Sequence, residues 1–457
     1  MAFEALRAVN GSGAYGNLAL PDLISRHRLD ARDAAFATEL LAGTCRMQGT
    51  YDRIITSAAG RPLGSLQPAV VDVLRLGTHQ LLGMRTPASA AVNTSVELAH
   101  GRIGRRATGV VNAILHRVAA DTLDGWLDRL ADPRAGEHEN LALRTGHPTW
   151  IVDAFADVLP PGELESALRA DNDPPVPMLA VRPGLAERSE LLDADAHPAR
   201  WSPWGVSRPG NPADLACVRD GRAGVQDEGS QLVVLAAVRA LDRVGVRPTA
   251  QQPEDESEGR PGTWLDLCAG PGGKSALLAG LASQRGSWLL SNERHPHRAR
   301  LVAQALRAYP RGSYQVVVAD GTAPAWREGS CRLVMADVPC SGLGALRRRP
   351  EARWRRDPQD LAGLVSLQRR LLASACAAVA PGGVLAFVTC SPHRSETADV
   401  VHAVLETQPG FELLDAPALL PEVPDARALT DPRFLQLWPH RHGTDAMFAA
   451  ILHRRRG

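Results

Sequence analysis

From Gly262 to the end of the chain, short apolar runs alternate with stretches of helical character. The apolar runs read TWLDL, SWLLSN, YQVVVAD, RLVMADV and VLAFVTC. The helical stretches between them include ALLAGLA, PHRARLVAQALRA and DLAGLVSLQRRLLASACAAVA. This alternation predicts an α/β fold with a Rossmann-like, doubly wound parallel sheet that carries helices on both faces. Ligands of such sheets bind at the carboxyl ends of the strands.

The remainder of the 457-residue chain predicts two further domains. Residues 1–131 have the apolar periodicity of helices and predict an all-helical domain. Residues 132–220 are rich in proline and open with two helix candidates, so they predict a small connecting domain that ends in strands. Residues 221–457 then hold the α/β domain, in which the polar, acidic segment 244–262 predicts a disordered loop without a functional role.

Composition excludes several classes of protein. No apolar run approaches the roughly 18 residues of a membrane helix, and the first residues lack the order of a signal peptide. The seven cysteines have no paired spacing, which favours reduced thiols over disulfides or a metal site. With a net charge of +1, any nucleic-acid surface must be a local patch. We therefore expect a cytoplasmic protein without a bound metal.

A glycine-rich turn, Cys268 to Lys274, follows the first strand of the α/β domain. Glycines in such a turn let the backbone approach a ligand and leave the amides of the next helix free to bind polar groups. An ordinary tight turn and a nicotinamide-binding loop are alternatives. The G-x-G-x-x-G spacing is absent and a proline interrupts the turn, so the nicotinamide reading fits poorly.

Carboxylates end the next two strands. Glu293 lies about twenty residues after the glycine turn, where an acidic side chain can accept both ribose hydroxyls of a nucleoside. Asp320 ends the third strand and is placed to accept from an adenine amino group. Either residue alone is as easily a surface carboxylate. Their ordered recurrence after the glycine turn favours a nucleoside cofactor.

Two cysteines follow neighbouring strands, Cys340 in Asp337-Val338-Pro339-Cys340 and Cys390 in Thr389-Cys390-Ser391. A lone cysteine in a strand is usually an inert apolar side chain, but two in polar turns beside a carboxylate point to chemistry. Carbon 5 of cytosine needs such a pair, because a thiolate must add at carbon 6 before the ring can take a methyl group. A second group must then act as base, while Asp337 would stabilise charge on the ring.

Basic side chains suggest the remaining contacts. Lys274 is the single lysine of the chain, and we expect its compact ammonium group to bind Asp337 or the target base. The alternative is that Lys274 caps the start of a helix by chance and has no role in the reaction. A basic run with an interleaved tryptophan after the Cys340 turn offers phosphate contacts and a stacking face for RNA, although such runs are more often solvated surface. The residues of this run predicted to bind RNA are Arg347, Arg348, Arg349, Arg353, Trp354 and Arg355.

The motifs DLCAGPGGKSALLA, SNERHPHRAR, VVVADGTAP, DVPCSGLGALRRRPEARWRR and FVTCSPHRSET resemble those of the RNA 5-methylcytosine methyltransferases. The segments ARDAAFATELLAGTCRMQGTYDRII and AAVNTSVELAHGRIGRRATGVVNAILHRV are similar to the NusB family of RNA-binding helical domains. Together they resemble the RsmB (Sun, Fmu) family of small-subunit ribosomal RNA methyltransferases, with a NusB-like domain in front of a methyltransferase sheet.

The resemblance implies S-adenosylmethionine as cofactor and ribosomal RNA, either free or within an assembling small subunit, as partner. It implies that Cys390 is the nucleophile and that Cys340 helps to release the product, with Asp337 and Lys274 beside them. Glu293 replaces a more usual aspartate, and Ala446 stands where glycine is more familiar. The implied cofactor site is formed by Cys268, Ala269, Gly270, Pro271, Gly272, Gly273, Lys274, Glu293, Arg298, Asp320 and Asp337.

Two other functions remain open at this point. The first keeps the reaction and changes the substrate to transfer RNA. The second is a non-catalytic RNA-binding assembly or antitermination factor, which the NusB-like part suggests and the intact cysteines oppose. A DNA cytosine methyltransferase fits less well, because its attacking cysteine lies in the proline-cysteine turn and Thr389-Cys390-Ser391 would be unnecessary. The sequence predicts a monomer.

Overall fold

The computed structural model describes residues 1–245 and 262–456, which form two compact units. The first comprises Met1–Ala156, Pro161–Pro174 and Leu346–Pro358, and the second comprises the remainder. The predicted connecting domain 132–220 is therefore divided. Its helices between Glu137 and Ala170 belong to the first unit, and its strands and the short helix Ala216–Arg219 belong to the second. Of the predicted loop 244–262, residues 246–261 lie outside the described residues.

The first unit is helical, as the periodicity of residues 1–131 predicts. Its core is built from apolar side chains on the inward faces of successive helices, such as Leu6, Ile54, Leu74 and Leu115, all fully buried. The helices are α1 Ala2–Ser12, α2 Gly16–His27, α3 Ala31–Arg46, α4 Gln48–Ala59, α5 Pro68–Leu82, α6 Ala88–Arg102, α7 Arg105–Val118, α8 Leu123–Leu130, α9 Glu137–Thr145, α10 Thr149–Ala156 and α11 Leu164–Ala170.

The helix candidate at 139–159 is in fact two helices, α9 and α10. Gly146 ends α9 in the left-handed conformation, with φ 68°, and its N–H bonds back to Ala142 O. Pro148 follows two positions later and disfavours helical backbone at His147, the residue before it. Glycine and proline together therefore outweigh the apolar periodicity that continues through this stretch.

A small antiparallel sheet opens the second unit. Its order is β2-β3-β1-β4, and the pairing of Leu179 with Val206 and Val225 sets the register of the three main strands. The strands are β1 Met178–Val181, β2 His197–Pro198, β3 Gly205–Ser207 and β4 Ala223–Val225.

A larger, mostly parallel sheet follows, in the order β10-β12-β9-β8-β5-β6-β7, with β11 pairing to β12. The predicted doubly wound sheet is thus confirmed. The strands are β5 Thr263–Asp266, β6 Trp288–Asn292, β7 Tyr314–Val317, β8 Cys331–Asp337, β9 Val379–Thr389, β10 Phe411–Leu413, β11 Leu435–Gln436 and β12 Phe448–Arg454.

The strands β10, β11 and β12 are absent from the sequence prediction. They pair antiparallel at the β9 edge of the sheet, where Ala450 lies opposite Phe387. Their sequences are short apolar runs without a following helix, so nothing in the local pattern separates them from buried helix or loop.

Helices cover both faces of the large sheet. Trp264, Leu333 and Met335 point into one apolar layer, while their neighbours Leu265 and Val334 point into the other. Strands buried on both faces read as continuous apolar runs, which explains their clear signal in the sequence. The helices after α11 are α12 Ala216–Arg219, α13 Glu228–Arg243, α14 Gly273–Ser283, α15 Pro296–Leu306, α16 Ala352–Arg355, α17 Asp360–Ala378, α18 Ala398–Leu405 and α19 Pro439–His442.

None of the helices within residues 1–245 and 262–456 combines the length and the apolar character that crossing a bilayer requires.

The segment Leu346–Pro358, which includes α16, packs within the first unit. Arg353 is fully buried, and its guanidinium donates to Arg46 O and Gly146 O at 3.1 Å each. It also donates to Asn172 Oδ1 at 2.8 Å and to Asp171 O at 2.9 Å. Burial lowers the pKa of Arg353 to about 9. This one side chain therefore joins backbone from three separate parts of the helical unit.

We expect Arg353→Ala to lower the free energy of unfolding of the first unit by about 3 kcal/mol or more, because it leaves several buried carbonyls without a donor. Hydrogen exchange at the amides of α3, α4 and α9 measures the effect. Arg349→Ala is the matched control, since Arg349 lies in the same segment with an exposed side chain. Equal protection in the two variants would contradict the structural role of Arg353.

Candidate functional site

The carboxyl ends of β5, β8 and β9 form the centre of the candidate site. The strand order reverses at β5, with β6 and β7 on one side and β8 and β9 on the other. Such a reversal opens a crevice at the carboxyl ends of the strands. Asp266 ends β5, Asp337 ends β8 and Thr389 ends β9, so the predicted motifs converge here.

The glycine turn links β5 to α14. Gly272 has φ 111°, and a Cβ at this position would lie 2.7 Å from Ala305 Cβ. Only glycine permits both the left-handed backbone and the close approach to α15. At Gly270 a Cβ would collide with Glu293 Oε2, 2.1 Å away. The turn is therefore pressed against the elements that carry the next predicted residues.

Glu293 lies directly beside the turn and is almost fully buried. Its Oε2 accepts from Gly270 N at 3.1 Å, and its Oε1 accepts from His295 N at 2.9 Å. Arg298 approaches Oε2 at 3.7 Å and donates to Gly270 O at 2.6 Å. The structure thus brings together three of the predicted cofactor residues, from the turn, β6 and α15.

Asp320 follows the next strand and is exposed. Its Oδ1 accepts from Thr322 N at 3.0 Å and from Thr322 Oγ1 at 2.8 Å, and these bonds lower the pKa of the carboxyl. An ionised, accessible carboxylate at this strand end suits an amino-group donor. The glycine cradle, Glu293 and Asp320 together fit an adenosine-containing cofactor.

Asp266 is a buried carboxyl that the sequence prediction did not single out. Its Oδ2 accepts from Ser275 Oγ at 2.6 Å. Burial raises the pKa of Asp266 to about 7, with the negative charge of Asp337 acting in the same direction. The carboxyl therefore fixes the start of α14 behind the glycine turn.

Lys274 and Asp337 form the predicted ion pair. Lys274 Nζ donates to Asp337 Oδ2 at 2.8 Å and approaches Ser230 Oγ at 3.4 Å. Burial lowers the pKa of Lys274, but the charge and hydrogen bond of Asp337 outweigh burial, so the pKa is raised overall. Cys390 also contributes to this rise, which places the ammonium charge within reach of that thiol.

The two thiols lie side by side, with Cys340 Sγ 3.4 Å from Cys390 Sγ. Contact with Cys390 raises the pKa of Cys340, and burial and the negative charges of Glu396 and Asp337 raise it further. Lys274 carries its positive charge within reach of Cys390. The electrostatics around Cys340 therefore favour its protonated form. The pKa of Cys268, a half-buried thiol of the turn, is also raised well above its ordinary value, first by desolvation.

Glu396 is the residue that sequence reasoning missed. It lies inside the quoted motif FVTCSPHRSET and is fully buried. It accepts from Ser341 N at 2.8 Å and from Ser391 Oγ at 2.7 Å. An acidic residue shortly after Thr389-Cys390-Ser391 was the available signal, but its burial and partners are properties of the fold.

The basic run after the Cys340 turn differs from its prediction in part. Arg353 is buried and donates four hydrogen bonds within the first unit, so its expected contact with RNA phosphate is wrong for this structure. Trp354 Nε1 donates to Cys45 O at 2.6 Å, and Arg355 donates to Ala14 O at 3.1 Å. These two half-buried side chains also stabilise the helical unit. Arg347 and Arg348 are half-buried, and Arg349 is exposed.

The start of α13 is capped by Asp227, whose Oδ2 accepts from Gly229 N at 2.8 Å. The same oxygen accepts from Asp445 N at 3.1 Å, just before Ala446. The backbone of Ala446 is not left-handed, so this position does not require glycine. Ala446 N donates to Gly344 O at 2.8 Å, and the residue without a side chain at this close contact is Gly344.

Two family models match the chain. One, described as 16S rRNA methyltransferase RsmB/F, covers residues 251–453, and the NusB family model covers residues 1–120. A Mycobacterium tuberculosis protein named as a methyltransferase, Rv1407, is 46% identical over 99% of this chain and 95% of its own length. A Bacillus subtilis protein named as a ribosomal RNA small subunit methyltransferase B is 30% identical over 100% of this chain and 98% of its own.

The fold has a solved counterpart over nearly the whole chain. The crystal structure of PH0851 superposes with a TM-score of 0.79 at 22% identity, covering 99% of this chain and 97% of that one. At this identity the likeness concerns the fold.

We expect Asp266 to destabilise the second unit as pH rises. Its pKa is about 7 in the folded state against 3.8 for a free carboxyl, so folding is progressively opposed between these values and the penalty is constant above about 7. Asp266→Asn removes this titration while keeping an acceptor for Ser275. Denaturant unfolding from about pH 4 to about pH 8 should show the variant gaining stability relative to the parent. A constant difference across that range would contradict the raised pKa.

Proposed function

This chain belongs to the RsmB family of 16S ribosomal RNA methyltransferases, and from that premise we propose that it methylates carbon 5 of a cytosine in 16S ribosomal RNA through a covalent adduct with Cys390. Membership makes the chain an S-adenosylmethionine-dependent RNA methyltransferase with ribosomal RNA as substrate. The position of the methyl group and the covalent mechanism are our proposal.

The distance between the two thiols is the observation that carries it. Cys340 Sγ and Cys390 Sγ are 3.4 Å apart at the ends of adjacent parallel strands, next to the cofactor turn. Inert cysteines have no reason to meet at a ligand-binding strand edge. A pyrimidine alkylation needs two such groups, one to attack the ring and one to assist release.

Cys390 is the better nucleophile of the pair. The ammonium group of Lys274 favours its thiolate, whereas Glu396 and Asp337 oppose ionisation of Cys340. Addition of the Cys390 thiolate to carbon 6 of cytosine forms a carbon–sulfur bond and makes carbon 5 nucleophilic. The cofactor supplies the methyl group that carbon 5 takes up.

Asp337 and Lys274 act on the ring edge. Asp337 would accept from the amino group of the cytosine and from nitrogen 3, which takes up a proton as the thiolate adds at carbon 6. Lys274, at 2.8 Å, holds the carboxylate oxygen Oδ2 in place. Because both side chains are already oriented by their ion pair, no reorganisation is needed as charge develops on the ring.

Release of the product requires loss of the proton at carbon 5. The pair Cys340 and Cys390 provides the groups for this step, because a base that removes the proton allows the Cys390 sulfur to leave from carbon 6. We assign this assistance to Cys340, since its Sγ lies next to the sulfur that must depart. Its ionisation is no longer opposed by the Cys390 thiolate once that sulfur is bonded to carbon 6, so Cys340 can then take the proton.

The cofactor would be held by the turn from Cys268 through Ala269, Gly270, Pro271, Gly272 and Gly273 to Lys274. Glu293 would accept the ribose hydroxyls and Asp320 the adenine amino group, with Arg298 fixing Glu293 and the turn. For the RNA, Arg347, Arg348 and Arg349 remain candidates for phosphate contacts, and the helical unit for docking. Action as a cytoplasmic monomer stays a prediction from the sequence.

We expect Cys390→Ala to abolish methylation, because the variant lacks the thiolate that would add to carbon 6 of the cytosine. Cys340→Ala should instead accumulate a covalent protein–RNA adduct, since addition and methylation proceed while release is slowed. Labelled cofactor with undermodified 16S RNA, mapping of 5-methylcytosine and denaturing gels measure both outcomes. Cys376→Ala, at a buried thiol in α17, is the control and should behave as the parent does. Full activity of the Cys390 variant would contradict the mechanism.

We expect Lys274→Arg to lower kcat about a hundredfold, because a planar guanidinium cannot occupy the buried space of the ammonium group beside Asp337. Arg285→Lys, the reverse exchange in the exposed pair with Asp242, provides the matched control. Steady-state methylation at saturating cofactor and RNA gives kcat for both variants, and only Lys274→Arg should lower it. An unchanged kcat in Lys274→Arg would contradict a role for Lys274 in the reaction and would favour a role only at the start of the helix.

A further inference from the structure

A single buried carboxylate joins the two cysteine turns. Glu396 Oε1 accepts from Ser341 N at 2.8 Å, and Oε2 accepts from the hydroxyls of Ser341 and Ser391, the latter at 2.7 Å. The two hydroxyl oxygens are themselves 3.0 Å apart. Because Ser341 directly follows Cys340 and Ser391 directly follows Cys390, the carboxylate holds the neighbour of each reacting thiol.

Further bonds close the same cluster. Gln368 of α17 donates to Glu396 Oε1 at 3.0 Å and to Pro339 O at 2.9 Å, immediately before Cys340. Gly344 N donates to Cys390 O at 2.9 Å, which ties the first turn to the second through backbone. The backbone of both cysteines is thus fixed on either side of the sulfur contact.

The chemistry of the cluster calls for a carboxylate. Four donors converge on the two oxygens of Glu396: a backbone N–H, the Gln368 amide and two hydroxyls. An ionised carboxyl group is an acceptor only and can take all four. An amide would turn an N–H₂ group toward part of this set, and an apolar side chain would leave every donor without a partner in a buried site.

We propose that Glu396 is a positioning residue for the methyl-transfer reaction, which clamps the Cys-Ser pairs 340–341 and 390–391 so that the two sulfurs stay within reach of one cytosine ring. This inference rests on the proposed function and adds a residue that touches neither the cytosine nor the cofactor. The charge of Glu396 also raises the pKa of Cys340, which keeps that thiol from competing as nucleophile.

The first test is kinetic. Glu396→Ala should lower kcat about a hundredfold, since small misplacements of reacting groups cost that much, while the dissociation constant of the cofactor is unchanged. Glu396→Gln should lie between the alanine variant and the parent, because it keeps part of the hydrogen-bond set. Ser391→Ala combined with Glu396→Ala should cost little more than Glu396→Ala alone, as expected for one coupled cluster.

The second test does not depend on RNA. Diamide removes two hydrogens from two thiols and becomes the corresponding hydrazine, so the rate of Cys340–Cys390 disulfide formation reports how closely the sulfurs are held. Without cofactor or RNA, the parent should form this bond rapidly and Glu396→Ala at least about tenfold more slowly. Peptide mass analysis identifies the cross-link.

Asp431→Ala is the matched control, since Asp431 is a buried carboxylate of the same unit whose partners are Arg433 and His402. Both alanine variants should lose thermal stability, and only the Glu396 variant should change kcat and the oxidation rate. Unchanged kcat and oxidation in Glu396→Ala would overturn the proposal. If the parent failed to form 5-methylcytosine, the proposed function would fall, and the oxidation rates would still decide whether Glu396 positions the thiols.

Discussion

The parallel pairing of β8 with β9 is the constraint on which the candidate site depends. Asp337, the last residue of β8, lies opposite Val388 near the end of β9. This register delivers Cys340 and Cys390 to one edge of the sheet although fifty positions separate them in the chain. A shift of the register by one residue would turn the side chains of one strand to the other face and separate the thiols. The apolar layers on both faces of these strands hold the register in place.

Buried charges around this edge give the two thiols different electrostatic surroundings. Lys274 provides positive charge near Cys390, while Asp337 and Glu396 surround Cys340 with negative charge. Each charge is itself bound: Lys274 to Asp337, and Glu396 to the serines and Gln368. Charged groups in a low-dielectric site act strongly only when they are held by such partners. The same groups therefore order the site and oppose ionisation of Cys340.

Much of the fold was predictable, for a simple reason. Strands buried on both faces read as uninterrupted apolar runs, and amphipathic helices repeat their apolar positions, so β5 to β9 and the helices of the first unit were visible in the pattern. The antiparallel strands β10 to β12 could not be predicted from the pattern, because short strands without a crossover helix have no distinctive apolar period. The break between α9 and α10 was missed because apolar periodicity continues across Gly146 and Pro148, although both residues interrupt helical hydrogen bonding.

The sequence by itself determined the candidate groups for the proposed reaction, because the glycine turn, Lys274, Asp337 and the two cysteines all lie in short motifs that can be interpreted residue by residue. Only the tertiary structure decided which polar residues are buried and what they bind. Arg353 was predicted to contact phosphate and instead lies buried within the helical unit, whereas Glu396, for which the motifs predicted no role, joins the cysteine turns. The physical reason is that burial and hydrogen-bond partners of a charged side chain depend on chain segments far away in the sequence, which no local pattern records.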